Sequence, residues 1–206
     1  MKNPWANITV SEYEGHMKFV KQHNLLNNIF KEQISGYEYN TICILGVGCG
    51  NGLEHIKPNT IVCGYDINDN FLTECRKRYE NTNYELKLKQ VDLTDPNVNI
   101  CTCDMMISNL VLEYIGMYNF ASIIEKSKPN YVSVIIQKTT GNKKAISESP
   151  YATVFDKVSV IQSEIMPQNL TMKMELMKYH QMINKKYEIS QFKSFIRLDY
   201  CKNNSV

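Results

Sequence analysis

TICILGVGCGNG, residues 41–52, reads as a buried strand that empties directly into a glycine-rich turn. Ile42 to Leu45 make an apolar run of strand length, and glycines then stand at 46, 48, 50 and 52. Glycine at such positions removes the Cβ where a backbone must bend sharply and where a ligand must come close to it. A second apolar run, IVCGYD at 61–66, ends on Asp66. An acid about 20 residues past such a turn is placed to accept hydrogen bonds from ribose hydroxyls. The two segments together put a nucleoside-containing ligand across the ends of two parallel strands.

The glycine spacing narrows the choice of ligand. A dinucleotide fingerprint G-x-G-x-x-G begun at Gly46 needs glycine at 51, where Asn51 stands; begun at Gly48 it needs one at 53, where Leu53 stands. No Lys followed by Ser or Thr closes the loop, so the nucleotide P-loop pattern fails as well. Two further segments follow in order: KQVDLTD with Asp92, and CDMMISNLVLEYI at 103–115.

These four ordered segments resemble the cofactor-binding core of class I S-adenosylmethionine-dependent methyltransferases. VGCGNG at 47–52 is similar to the family's first motif, GYDIND to the acidic end of its second strand, KQVDLTD to its third motif, and 103–115 to its fourth. The resemblance implies S-adenosylmethionine as cofactor and S-adenosylhomocysteine as product. It also implies a cofactor site made of Tyr13, Gly46, Gly48, Cys49, Gly52, Asp66, Ile67, Asp92, Leu93, Asn109 and Leu110. In the family the second-strand acid binds both ribose hydroxyls, and the third-motif acid meets the adenine amino group. EYEGHM at 12–17 is similar to an N-terminal lid segment of small-molecule members.

One position departs from the family pattern. Two residues before GCG the family usually carries an acid for the methionine ammonium, and here that residue is Gly46. A buried unpaired charge is costly, so backbone carbonyls of the turn or after the fourth strand are expected to take the acid's place.

Composition sets outer limits. A chain of 206 residues fits one α/β domain, taken here as 1–206 with a helical lid over 1–38 and an insertion at about 139–165. The net charge is +2, and the basic runs at 76–78, 143–144 and 185–186 are isolated, which argues against a nucleic-acid surface. No apolar segment is long enough to span a bilayer and no signal-like start is present, so a cytoplasmic protein without membrane association is expected. Seven cysteines sit mostly within apolar strand patterns and read as reduced, buried thiols. Cys101 and Cys103 have C-x-C spacing, but no second pair and no nearby His complete a zinc site, so no metal is expected.

Strand and helix patterns alternate along the chain. A single amphipathic helix is expected over 11–35, with Ser11 and Glu14 as its capping box, then strands at 41–47, 61–65, 84–91, 103–108 and 131–138. Helices are expected at 69–79, capped by Asn68 or Asp69, at 113–126 and at 168–179, with a helical stretch over 151–165. HQMINKKYEIS and KSFIRLDYC then suit an antiparallel pair. The expected fold class is a three-layer α/β sandwich with a seven-stranded, mostly parallel sheet and a reversed C-terminal strand.

A sulfonium methyl is already activated, so alignment, exclusion of water and, for some acceptors, proton removal are the protein's tasks. Topology puts His16, Tyr114, Gln137 and Tyr151 at the acceptor, with Glu14 and Ser149 nearby and His16 and Glu113 as candidate bases. Each has a plain structural alternative: a solvated helix residue for His16, a helix N-terminal carboxylate for Glu113. The expected function is methyl transfer to a small molecule. Two other readings stay open: an RNA or protein acceptor, and a non-catalytic module that binds the cofactor or its product. The sequence does not specify the acceptor or the oligomeric state.

Overall fold

The computed structural model describes residues 3–141 and 145–203, so the Lys143–Lys144 pair and part of the expected insertion lie outside the described residues. Seven strands form one sheet: β1 (Thr41–Leu45), β2 (Ile61–Asp66), β3 (Glu85–Gln90), β4 (Met105–Asn109), β5 (Tyr131–Thr139), β6 (Tyr179–Ser190) and β7 (Lys193–Lys202). Their order is β3-β2-β1-β4-β5-β7-β6. β1 to β5 pair in parallel, and β7 runs antiparallel to both β5 and β6. The reversed strand is thus slotted inside the sheet, and β6 takes the edge.

Among the described residues six α-helices accompany them: α1 (Val10–Phe19), α2 (Gln22–Ser35), α3 (Asp69–Arg78), α4 (Leu112–Ser127), α5 (Asp156–Ile161) and α6 (Pro167–Leu176). Successive strand residues face opposite sides, and the buried side chains divide accordingly. Ile42, Ile44, Val62, Met105 and Ile107 pack with Phe30 and Ile34 of α2 and Leu72 and Cys75 of α3. Cys43, Leu45, Met106, Val132 and Val134 pack with Phe120, Ile123 and Ile124 of α4 and Leu170 and Met174 of α6. The three-layer α/β sandwich is therefore observed, with a core on each face of the sheet. Among the described residues no helix is long and apolar enough to cross a membrane.

The N-terminal helix differs from expectation. Instead of one helix over 11–35 there are two, separated where Lys21 adopts φ 60. The capping box lies two residues earlier than Ser11: the Thr9 hydroxyl accepts from Glu12 N while Glu12 Oε2 accepts from Thr9 N at 2.9 Å. Packing accounts for the break. α2 must lay Ile29, Phe30 and Ile34 on the sheet, while α1 turns away over the strand ends, and no Gly or Pro marks the corner. The stretch expected to be helical over 151–165 is a 3-10 turn, Ala152–Phe155, followed by the short α5.

Candidate functional site

Strand order reverses between β1 and β4, and in open α/β sheets such a switch point leaves a crevice beyond the strand ends. The glycine-rich turn lines that crevice. Gly46 and Gly48 take φ of +67 and +56, the left-handed region that favours glycine. A Cβ added at Gly48 would meet nothing within 4 Å, so its missing side chain leaves backbone open to the cavity. At Gly46 a Cβ would lie 2.2 Å from Val111 Cγ2. The Val111 methyl therefore fills the place where the family's usual acid would begin.

Asp66, at the end of β2, is buried and lines the same cavity. Its Oδ2 accepts from Gly48 N at 2.8 Å and its Oδ1 from Asn68 N at 2.9 Å, which fixes the carboxylate against the turn. Burial raises its pKa, and these backbone donors oppose the rise. Asn68 does two jobs. Its Oδ1 caps α3 at Asn70 N and Phe71 N, and its Nδ2 donates to Trp5 O at 2.9 Å and Ile8 O at 2.7 Å. The segment before α1 is thereby pinned over the cavity, and Arg78 of α3 pairs with Glu14 of α1.

Trp5, Tyr13, Tyr114 and Phe155 form the roof. Trp5 meets the other three rings edge-on at centroid separations of 5.1 to 6.2 Å. Such contacts add specific orientation to large buried area. Of the residues named from sequence, Tyr13, Gly46, Gly48, Asp66, Ile67, Asp92, Leu93, Asn109 and Leu110 all line this cavity, as do His16, Tyr114 and Gln137. Cys49 lines a smaller recess next to it.

Three expectations change. Gly52 lies outside the cavity and serves packing: at φ +101 its missing Cβ makes room for the Phe30 ring 2.8 Å away. Tyr151 packs against Gly15, whose Cβ would sit 2.6 Å from its ring, and does not line the cavity. Glu113 also lies behind the wall. Its Oε1 accepts from Gln137 N at 2.7 Å, its Oε2 has no partner among the described residues, and burial raises its pKa to about 7. It positions Gln137 rather than reaching into the crevice.

The far end of the cavity is polar in a way the sequence did not signal. Lys193, the first residue of β7, is buried there and donates to Ala145 O and, at 2.6 Å, to Ser147 Oγ. Burial lowers its pKa to about 8. His16 faces the same space, its Nδ1 2.8 Å from Ser149 Oγ. Burial, then the charge on Lys193, lowers the imidazole's pKa and so favours the neutral ring. Asn109 uses its amide twice on Gln33, each bond 2.9 Å, and so offers the cavity its main chain. Lys193 was legible only as part of a strand, because its burial depends on the 145–149 segment folding back across β5 and β7.

Residues 45–127 match the family model described as a methyltransferase domain. A sequence comparison with curated proteins finds no match. Among solved structures, the chain is similar to magnesium protoporphyrin IX methyltransferase (ChlM) from Synechocystis PCC 6803 with bound SAH: 11% identity, TM-score 0.65, 97% of this chain and 91% of that one. It is similar to TehB from Haemophilus influenzae at 15% identity and TM-score 0.59, over 91% and 67% of the chains. The [4+2]-cyclase SpnF shares the fold at 8% identity and TM-score 0.64, over 87% and 80%. At these identities the likenesses establish the fold.

Proposed function

We propose that this chain, a class I S-adenosylmethionine-dependent methyltransferase by its core segment, transfers the methyl group to a small-molecule acceptor. The observation that carries this reading is that one roofed cavity joins the glycine turn and Asp66 to His16, Gln137 and Lys193. The cavity residues fit the cofactor. A desolvated carboxylate at Asp66 suits two ribose hydroxyls, and bare backbone at Gly48 admits close approach. Asp92 engages Thr94 N and Thr94 Oγ1 through Oδ1, which leaves Oδ2 for an amino donor. When bound, the cofactor supplies an activated sulfonium methyl carbon.

The chain's own residues then have defined tasks. The main chain around Gly46, Asn109 and Leu110 would hold the methionine ammonium, since Val111 excludes a carboxylate at residue 46. The aromatic roof keeps water out, which strengthens every polar interaction beneath it. His16, neutral and oriented through Nδ1, takes a proton at its other ring nitrogen, and the Lys193 ammonium stabilises the oxyanion left behind. That pairing suits an acceptor whose O–H is still protonated near neutral pH, such as a phenol. A cytoplasmic setting accords with seven free cysteines.

The test has two stages. Calorimetric titration with S-adenosylmethionine and S-adenosylhomocysteine should give saturable binding of both; binding of neither would remove the cofactor assignment. Transfer of labelled methyl to a panel of phenols, carboxylic acids, amines, RNA and protein should then favour the small O–H acceptors. The filled position at Gly46 favours one second reading, a non-catalytic binder of the cofactor or its product, and binding without transfer to any acceptor would select it.

A further inference from the structure

On the sheet face away from α2 and α3, the fold gathers thiols that are far apart in sequence. Cys43 of β1 and Cys63 of β2 are register partners on adjacent parallel strands, so their side chains stand next to each other. Cys101 comes from the connection between β3 and β4, and its backbone N–H donates to Tyr65 Oη at 3.0 Å, which holds the connection over the pair. The three sulfurs all lie within 4.8 Å of one another, and Cys43 Sγ is 3.2 Å from Cys101 Sγ. The expectation of no metal rested on the lack of a second cysteine pair and of a nearby His; the strand register supplies the pair. Burial as small apolar residues explains Cys43 and Cys63, both buried, but it does not explain why half-buried Cys101 directs its sulfur at them.

We propose that Cys43, Cys63 and Cys101 form a binding site for one thiophilic divalent cation of the zinc class, distinct from the methyl-transfer cavity. The geometry suits such an ion. Zinc–thiolate bonds of about 2.3 Å place sulfurs about 3.8 Å apart in a tetrahedral site, within the span observed. The fourth position is left to solvent at half-buried Cys101. Loading converts three thiols and one dication into a tris-thiolate complex of charge −1 and releases three protons. Lys87, register partner of Cys63 on β3, supplies a nearby positive charge. The ion would tie the β3–β4 connection, whose other end carries Asp92 and Leu93, to the centre of the sheet.

The probe is Co²⁺, then Zn²⁺, added to the fully reduced chain under anaerobic conditions. Saturation near one equivalent with an intense thiolate-to-cobalt band, displacement by Zn²⁺, and a Zn²⁺-dependent rise in melting temperature are expected. Cys101→Ser should weaken binding at least tenfold and abolish the melting shift, whereas Cys201→Ser, outside the trio, should change neither. Because Cys101 is half-buried, its serine variant should fold, and Cys63→Ser gives an independent check. The site is refuted if no thiolate band forms at stoichiometric metal, or if Cys101→Ser keeps the band. It is equally overturned if the reduced chain takes up no ion and air oxidation leaves it lighter by two hydrogens in a Cys43–Cys101 disulfide.

Discussion

Under the proposed function Asp66 couples cofactor recognition to the shape of the turn, because its two oxygens accept from Gly48 N and Asn68 N. Asp66→Ala should therefore abolish measurable cofactor binding by calorimetry and also destabilise the free protein by about 1–3 kcal/mol in denaturant unfolding, from two stranded donors. An effect on binding with unchanged stability would mean that the turn stands without the carboxylate. Gly46 is constrained by two things at once, its φ of +67 and the Val111 methyl. Gly46→Ala should cost on the order of 2 kcal/mol or more, and Val111→Ala should recover only the steric part. Gly46→Glu, although it restores the family's usual residue type, should not tighten cofactor binding.

His16 gives the pH dependence. Burial and the charge on Lys193 lower its folded pKa, so the neutral form takes over at a lower pH than in a free imidazole. Turnover with an O–H acceptor should rise with pH on a limb centred below 6.5 and then level off; His16→Gln should remove that limb. The sign for stability follows from the same depression. The fold resists protonation of this ring, so its contribution is present above the unfolded value and lost as pH falls through the folded one. Wild type should lose more melting temperature than His16→Gln between about pH 7.5 and about pH 5.

At the scale of elements, the roof over the cavity depends on side chains that bridge separate segments. Asn68 caps α3 through its oxygen and holds Trp5 O and Ile8 O through its nitrogen. Asn68→Asp keeps the cap and loses the lid, whereas Asn68→Ala loses both. Hydrogen exchange should speed up over 4–9 in each variant but at the start of α3 only in the alanine variant; equal exchange in both would show that aromatic packing alone holds the segment. The capping role was legible, because Asn before DNFLTECRKR is a plain helix start. The lid role was not, since its acceptors are about 60 residues away. The same distance hides the α1–α2 corner: local pattern continues through Lys21, and only the requirement to cover two different surfaces breaks it.

Across the whole molecule, a buried polar chain runs from the cavity wall at Asn109 through α2 and across the sheet. Asn109 pairs with Gln33, Gln33 donates to Ser133, Ser133 donates to Asp199, and Asp199 receives both the Arg197 guanidinium and Tyr37 Oη. It joins β4, α2, β5 and β7. Removing one charge leaves the other buried and unpaired, so Arg197→Met should destabilise by about 3–5 kcal/mol, and Arg197→Met with Asp199→Leu should recover part of that in equilibrium unfolding. Full additivity of the two substitutions would show that the pair is not coupled. By propagating to Asn109, the single change should also weaken cofactor binding.

What the sequence by itself determined is the sheet and the side of the cavity lined by the glycine turn and the strand-end acids. Hydrophobic period, a glycine turn and strand-end acids are local signals, and parallel strands place their ends together whatever surrounds them. The far side, where His16, Gln137 and Lys193 meet, was decided by tertiary structure. Lys193 gains its place in the cavity from 145–149, Tyr151 is drawn out of it by the bare face of Gly15, and Glu113 is walled in behind Gln137. The thiol trio likewise follows from strand register and one loop. Which side chains meet across separate segments depends on how those segments pack, and a one-dimensional pattern carries no record of that.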